Sequence, residues 1–309
     1  MGQNSFYLSQ IAKLYYIDKV KQNEIARRFQ ITPMMVSRSL NEAEQKGLVV
    51  FHVKMPWGIN TELGKAVMDK YNLRECIVLD VKEKNEIPVT LGGYLAEYFM
   101  SILKPNSIVG LSWGYTISKF VEALAYSNVE NCQLIQLTGA FLDKNYFVTP
   151  THIVQEVSKK LNARIYSLNA PLYAATAEMQ EQFSNDPTNK IIHQMAEESD
   201  INIFGVSELS EEATTFQTGI VNKNDFDELK NLGAIGDCAG TFIDKDGDII
   251  KWSKSNLYTG IYLDRIQRAK NVICVAGEPE KAEVIKAVVQ KKYINILMTT
   301  KQVALDLLK

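Results

Sequence analysis

The sequence predicts an α/β protein in two parts: a helix-turn-helix unit over residues 1–54 and, after a linker at 55–60, a Rossmann-like parallel-sheet domain over 61–309. Three observations predict it. Apolar residues in the first fifty positions recur at helical spacing, with a Thr-Pro helix start among them. From Thr61 onward, short apolar runs alternate with amphipathic segments, the pattern of parallel strands joined by helices. Charge divides the chain at the same place, because residues 1–55 hold eight Lys or Arg against four Asp or Glu, a net +4, leaving −6 on the remainder of a chain whose overall charge is −2. A polyanion is attracted to one end of such a chain and mildly repelled by the other.

In the first part, Tyr7, Ile11, Leu14 and Tyr15 place a helix over residues 5–17, closed by Asp18 and Lys19. A shorter helix follows from Gln22 to Phe29. After a tight link at Gln30 and Ile31, Thr32 caps a third helix whose first residue, Pro33, needs no N–H partner at that position. That helix runs to Lys46 and stops at Gly47. Ile25, Ala26 and Phe29 face inward on one helix, and Ile31, Val36 and Leu40 on the next, with Ala26 small where the two cross. Met34, Met35, Ser37, Arg38 and Asn41 then point outward. They offer an arginine and hydrogen-bonding groups to base edges and phosphates, and methionines to thymine methyls. Gln22, Arg27, Arg28 and Thr32 complete the candidate DNA contacts. Gln30 stands where such turns often carry Gly, since the backbone there needs φ > 0. Past Gly47, VVFHV alternates as a short strand, and Lys54 to Gly58 reads as linker.

In the second part, strands are expected at 76–81, 107–111, 132–137, 164–168, 201–206, 271–277 and 294–299. Ligands of such sheets bind beyond the carboxyl ends of the strands, where loops open into helices. After SIVGL, the run Ser112-Trp113-Gly114-Tyr115-Thr116 brings backbone N–H groups and two hydroxyls to a helix start that favours an anion. After CQLIQL comes Thr138-Gly139-Ala140. After NVICVAG, which ends at Gly277, Lys281 stands at another helix start, placed to neutralise a phosphate. The Gly- and Asp-rich segment 233–248 offers Asp237 and Asp244 to sugar hydroxyls, and Asp246-Gly247 reads as a hairpin turn. DKDGD lacks the distal glutamate of a calcium loop, so neither a metal nor a cofactor is expected.

Composition excludes several classes. With 46% apolar and 23% charged residues the chain buries a sizeable core. Cys76, Cys132, Cys238 and Cys274 are far apart, with no CxxC pair, as fits buried free thiols in a reducing compartment. No stretch approaches the roughly 20 apolar residues needed to span a bilayer, and no basic-then-apolar leader opens the chain. A cytoplasmic protein is expected. Gly110-Leu111-Ser112-Trp113-Gly114 matches the G-x-S-x-G nucleophile elbow of α/β-hydrolases. However, His152 and His193 precede several later strands where a hydrolase histidine would follow them, and no HGGG-like segment lies upstream. No catalytic residue is assigned.

Taken in order, KLYYIDKVKQNEIARRF, VSRSLNEAEQKGLV, LGGYLAEYF, GLSWGYT, QLTGA, APLY, GDCAGTFID with Gly247, and AGEPEKAEVIKAV resemble the SorC/DeoR family of sugar-binding transcription regulators. The resemblance spans nearly the whole chain. It implies an effector domain similar to sugar-phosphate isomerases and CoA-transferases, without their catalysis, so that an isomerase or deaminase activity is the alternative. It also implies operator DNA as partner, homo-oligomers (dimers or tetramers), and a sugar, polyol or sugar-phosphate effector on Ser112, Gly114 and Thr116, on Thr138 to Ala140, on Asp237 and Asp244, and on Lys281. Two departures stand out. Gly277-Glu278 replaces the family's Gly-Gly pair, and a carboxylate there repels a nearby phosphate. Met298-Thr299-Thr300 replaces Ile-Thr-Asp.

Overall fold

A computed structural model of the chain describes residues 5–49, 58–142 and 148–309. These fall into two compact units, Met1–Met55 and Pro56–Lys309. In the first, α1 (Ser5–Ala12) is followed by α2 (Gln22–Phe29) and α3 (Pro33–Gln45). The helix expected over 5–17 is α-helical only to Ala12. Its last turn, Lys13–Ile17, widens to π spacing, with Asp18 N–H donating to Lys13 C=O five residues back at 3.0 Å. Lys19 then takes φ +56° and turns the chain. The VVFHV strand beyond Val49 and linker residues 54–57 lie outside the described residues.

The three helices meet on Leu8, Ile11, Ala12, Ile25, Ala26, Val36, Leu40 and Ala43, all buried. Phe29 and Ile31 are half-buried against them, and Tyr7 packs edge-on to Phe29 at 5.4 Å between ring centres. The link between α2 and α3 is left-handed at Gln30, φ +53°, where a side chain adds strain that Gly would not. Thr32 Oγ1 accepts the Met35 N–H at 3.2 Å, so the cap and Pro33 fix where α3 begins.

The second unit carries a seven-stranded sheet in the order β1-β10-β9-β5-β2-β3-β4, parallel throughout. Its strands are β1 (Glu75–Leu79), β2 (Ile108–Leu111), β3 (Gln133–Gln136), β4 (Arg164–Tyr166), β5 (Ile201–Phe204), β9 (Asn271–Val275) and β10 (Ile296–Thr300). Each of the seven expected runs contributes one. Helices α5 (Ile87–Ile102), α6 (Tyr115–Ala123) and α7 (Pro150–Leu161) bury Leu91, Leu95, Phe99, Phe120 and Val157 in one cluster. A second cluster takes Val67 of α4 (Thr61–Tyr71), Ile192 of α9 (Pro187–Glu197), Val284 and Val288 of α13 (Ala282–Gln290), and Leu307 of α14 (Lys301–Leu308). Gly92 lets α5 lie directly on α6, because a Cβ there would stand 2.6 Å from the Phe120 nitrogen.

The run 201–206 does not stay in one strand. It leaves the large sheet after Phe204, and β6 (Val206–Glu208) pairs antiparallel with β7 (Ala234–Cys238), which pairs with β8 (Thr241–Asp244). Gly236 permits this, since any Cβ there would run into the Ser207 carbonyl. The β7–β8 turn falls at Ala239-Gly240, with φ +51° and +84°, both left-handed as a two-residue hairpin requires. Asp246-Gly247 makes the next reversal, with Gly247 at φ +79° and Ile249 bridging back to Ile243.

Candidate functional site

The strand order reverses between β2 and β5. From β2 the chain proceeds outward through β3 and β4; from β5 it proceeds the other way through β9 and β10. At such a switch point the loops leaving two adjacent strands part in opposite directions and open a crevice. A cavity lies there. The loop after β2 supplies Ser112, Gly114, Tyr115 and Thr116, the segment after β5 supplies Gly205 and Ser207, and the small sheet supplies Asp237 from β7. Lys281, in the turn before α13, closes the set.

Each group has an identifiable local cause. Gly114, at φ +129°, sits at the N-cap of α6 and supplies no capping side chain. The first α6 hydrogen bond runs from Ser118 N–H to Gly114 C=O at 2.9 Å, so the N–H groups of Tyr115, Thr116 and Ile117 have no partner within the helix, while the Gly114 N–H donates to Val148 C=O at 3.3 Å. Beside them Ser112, 1% exposed, has its N–H fixed on Ile203 C=O at 3.0 Å, while its Oγ has no hydrogen-bond partner among the described residues. Trp113 Nε1 is likewise unpartnered. Across the cavity, Asp237 is 4% exposed; its Oδ2 accepts Gly240 N–H at 3.0 Å and its Oδ1 has no partner. Burial pushes the Asp237 carboxyl up to about 7, against the opposing pull of the Gly240 N–H and the Lys281 charge, and nearby Glu208 pushes the same way as burial. Buried polar atoms left unpaired are costly, and three around one cavity mark where a polar ligand would satisfy them.

Six of the eleven sequence-selected ligand residues thus converge: Ser112, Gly114, Tyr115, Thr116, Asp237 and Lys281. The other five do not line this cavity. Asp244 is committed to its own turn, Oδ1 accepting the N–H groups of Asp246 and Asp248 at 2.9 Å each. Gly277 is a packing glycine: a Cβ there would meet Thr300 Cγ2 at 2.6 Å, and its carbonyl accepts Thr300 Oγ1 at 2.6 Å. Gly139 is the same kind, with Pro171 O and Thr259 Oγ1 both 2.5 Å from a Cβ. Thr138 is fully buried, and Ala140 hydrogen-bonds along the chain at Ala170 and Leu172 and lines a separate groove with Phe141 and Pro171. Ser207 and Thr214 belong to the cavity but were not picked out; Gly205, breaking an apolar run, was the signal for Ser207.

In the N-terminal unit, Met34 (67% exposed), Met35, Ser37, Arg38 and Asn41 share the open face of α3. Arg27 and Arg28 are exposed on α2, where Arg28 pairs with Glu24. Gln22 is half-buried at the start of α2, and the Thr32 hydroxyl is occupied as the α3 cap. Among the described residues, no group of His, Cys, Asp and Glu could hold a metal ion, and no helix is long and apolar enough to cross a membrane. All four cysteines are free and buried. No histidine is among the described residues lining the Ser112 cavity; His152 lies by a groove with Glu156 and Lys160 instead. The nucleophile-elbow reading therefore finds no histidine base among the described lining residues.

Comparison with known proteins places these features in company. Residues 57–309 match the family described as "Putative sugar-binding domain". The chain is 27% identical to the deoxyribonucleoside regulator of Bacillus subtilis (strain 168), over 95% of this chain and 94% of that protein. It is 25% identical to the transcriptional regulator LsrR of Escherichia coli (strain K12), over 98% and 94%. Among solved structures, the full-length sorbitol operon regulator SorC from Klebsiella pneumoniae superposes over 100% of both chains with a TM-score of 0.74 at 22% identity. A DeoR family transcriptional regulator from Listeria monocytogenes covers 80% of this chain and 98% of its own, with a TM-score of 0.74 at 23% identity.

Proposed function

We propose that this chain, which belongs to the sugar-binding domain family through residues 57–309, is a transcription regulator of a carbohydrate-metabolism operon, not an enzyme. Helix α3 reads operator DNA with Arg38, Asn41 and Ser37 toward base edges, Met34 and Met35 on thymine methyls, and Arg27 and Arg28 on phosphates. The switch-point cavity takes a small sugar, polyol or sugar phosphate. The single observation that carries this is the convergence, in one cavity, of the open α6 N-terminus, the unpartnered Ser112 hydroxyl and the unpartnered Asp237 oxygen. The relatives' names fit it: one is a deoxyribonucleoside regulator and another a sorbitol operon regulator, each named for a compound that is a polyol or contains a sugar. The protein works in the cytoplasm as a homo-oligomer, a dimer or tetramer, in which paired reading helices meet paired half-sites.

Effector action follows from linkage. A ligand changes operator affinity only to the extent that it binds the DNA-competent and DNA-incompetent arrangements unequally. A thermal-shift screen of free and phosphorylated sugars and polyols tests the reading, since a ligand at about a hundred times its Kd stabilises by about 2.7 kcal/mol. A compound that stabilises the wild type, loses its effect in Thr116→Val, and alters operator binding in a gel shift supports the proposal. A stabilising compound that leaves operator binding unchanged at saturation overturns it.

A further inference from the structure

The cavity has two unlike ends. At one, the α6 N-terminus presents N–H groups that have no partner within the helix beside Ser112 and Thr116, with no acidic side chain among the described lining residues there. At the other stands Lys281, the one cation among those lining residues, and it is already engaged: its Nζ lies 3.0 Å from Glu278 Oε2, with the two side chains only 19% and 13% exposed. The same Glu278 oxygen accepts Gly277 N–H at 3.3 Å, which holds the carboxylate in place. The next cation, Lys84, pairs with Glu280. Asp237 adds a carboxyl group to the lining, and Glu208, outside the lining, acts on it through its charge; each has one oxygen unpartnered among the described residues.

We infer that Glu278 sets the effector's charge: the cavity accepts a compound with one anionic group, seated at the α6 N-terminus, and rejects one with a second anion at the Lys281 end. Lys281 is neutralised by an internal carboxylate, so a second phosphate would have to part it from Glu278 and leave that carboxylate unpaired beside the new charge. Like charges brought together repel, and the repulsion grows as water is excluded from between them. A hydroxyl meets no such penalty, because it donates to the open Asp237 oxygen. The inference rests on the cavity being the effector site and deepens that reading.

The test is a thermal-shift and calorimetric comparison of triose-to-hexose monophosphates, their bisphosphates and the free sugars, on wild type and on Glu278→Gln. Monophosphate should bind wild type at least about tenfold more tightly than the matching bisphosphate. Glu278→Gln, which frees Lys281 but keeps the Gly277 N–H acceptor, should narrow that ratio about tenfold or reverse it. The wild-type arm stands whether or not the variant folds. A bisphosphate binding wild type as tightly as its monophosphate, or only free sugars binding, overturns the inference while leaving the effector site intact. If no member of the panel binds, the effector reading falls together with it.

Discussion

Replacing Asp237 by Asn should change how the stability of the protein depends on pH. The folded chain holds this carboxyl at about 7 against an ordinary 3.8, chiefly through burial. Between those two values the folded state keeps a proton that the unfolded state has released, so stability falls as pH rises, then levels off above pH 7. At 1.36 kcal/mol for each factor of ten, the whole excursion is about 4 kcal/mol. Asn is nearly isosteric and can still accept the Gly240 N–H, but it does not titrate. Urea unfolding at pH 5, 6, 7 and 8, at one protein concentration and without ligand, covers about two of those pH units and should therefore show wild type losing about 2.6 kcal/mol more than Asp237→Asn across that range. Parallel pH profiles would refute the reasoning: Asp237 would then be ionised in the folded state at ordinary cost, and the cavity would be wetter than its geometry implies.

Three further outcomes follow from particular residues. Gln30→Gly should stabilise the N-terminal unit by up to about 1 kcal/mol, the cost of a side chain in a left-handed turn offset by glycine's entropy, as read by thermal melting; a loss of stability would mean that the Gln30 side chain contributes more than its strain costs. Gly139→Ala should destabilise the larger unit by about 1–3 kcal/mol, because Pro171 O and Thr259 Oγ1 stand 2.5 Å from the new carbon; an unchanged urea midpoint would show that the two neighbours give way freely. Ser112→Ala should abolish the effector response with no esterase activity in either protein, because no histidine is among the described residues lining its cavity; wild-type hydrolysis of a p-nitrophenyl ester, lost in the variant, would contradict this.

What could be read from the sequence was whatever local chemistry decides. Thr32-Pro33 marked the start of α3 because a cap and a ring-fixed φ act within one turn. The seven parallel strands were visible because strands buried on both faces are continuous apolar runs. The rest depends on contacts far apart in the chain. Asp237 and Asp244 occur in one Gly- and Asp-rich segment with similar flanks. Pairing of β7 with β6 carries Asp237 into the cavity, whereas Asp244 stays outside and commits its Oδ1 to its own turn. Gly139 and Gly277 read as ligand-loop glycines, yet the atoms that demand a missing Cβ belong to Pro171, Thr259, Leu91 and Thr300. The Glu278–Lys281 pair, at i,i+3, was local enough to find, yet Lys281 read as free for a phosphate and Glu278 only as a carboxylate that repels one.

The central claim concerns DNA. Selecting bound duplexes from a random pool with the full chain, then titrating the winners against wild type and Arg38→Ala, tests it most directly. The account predicts a bipartite site with two similar half-sites, and a loss of about 1–3 kcal/mol in Arg38→Ala that falls on defined base positions. Failure to enrich any sequence, or equal affinity of wild type and Arg38→Ala for the enriched site, would contradict it.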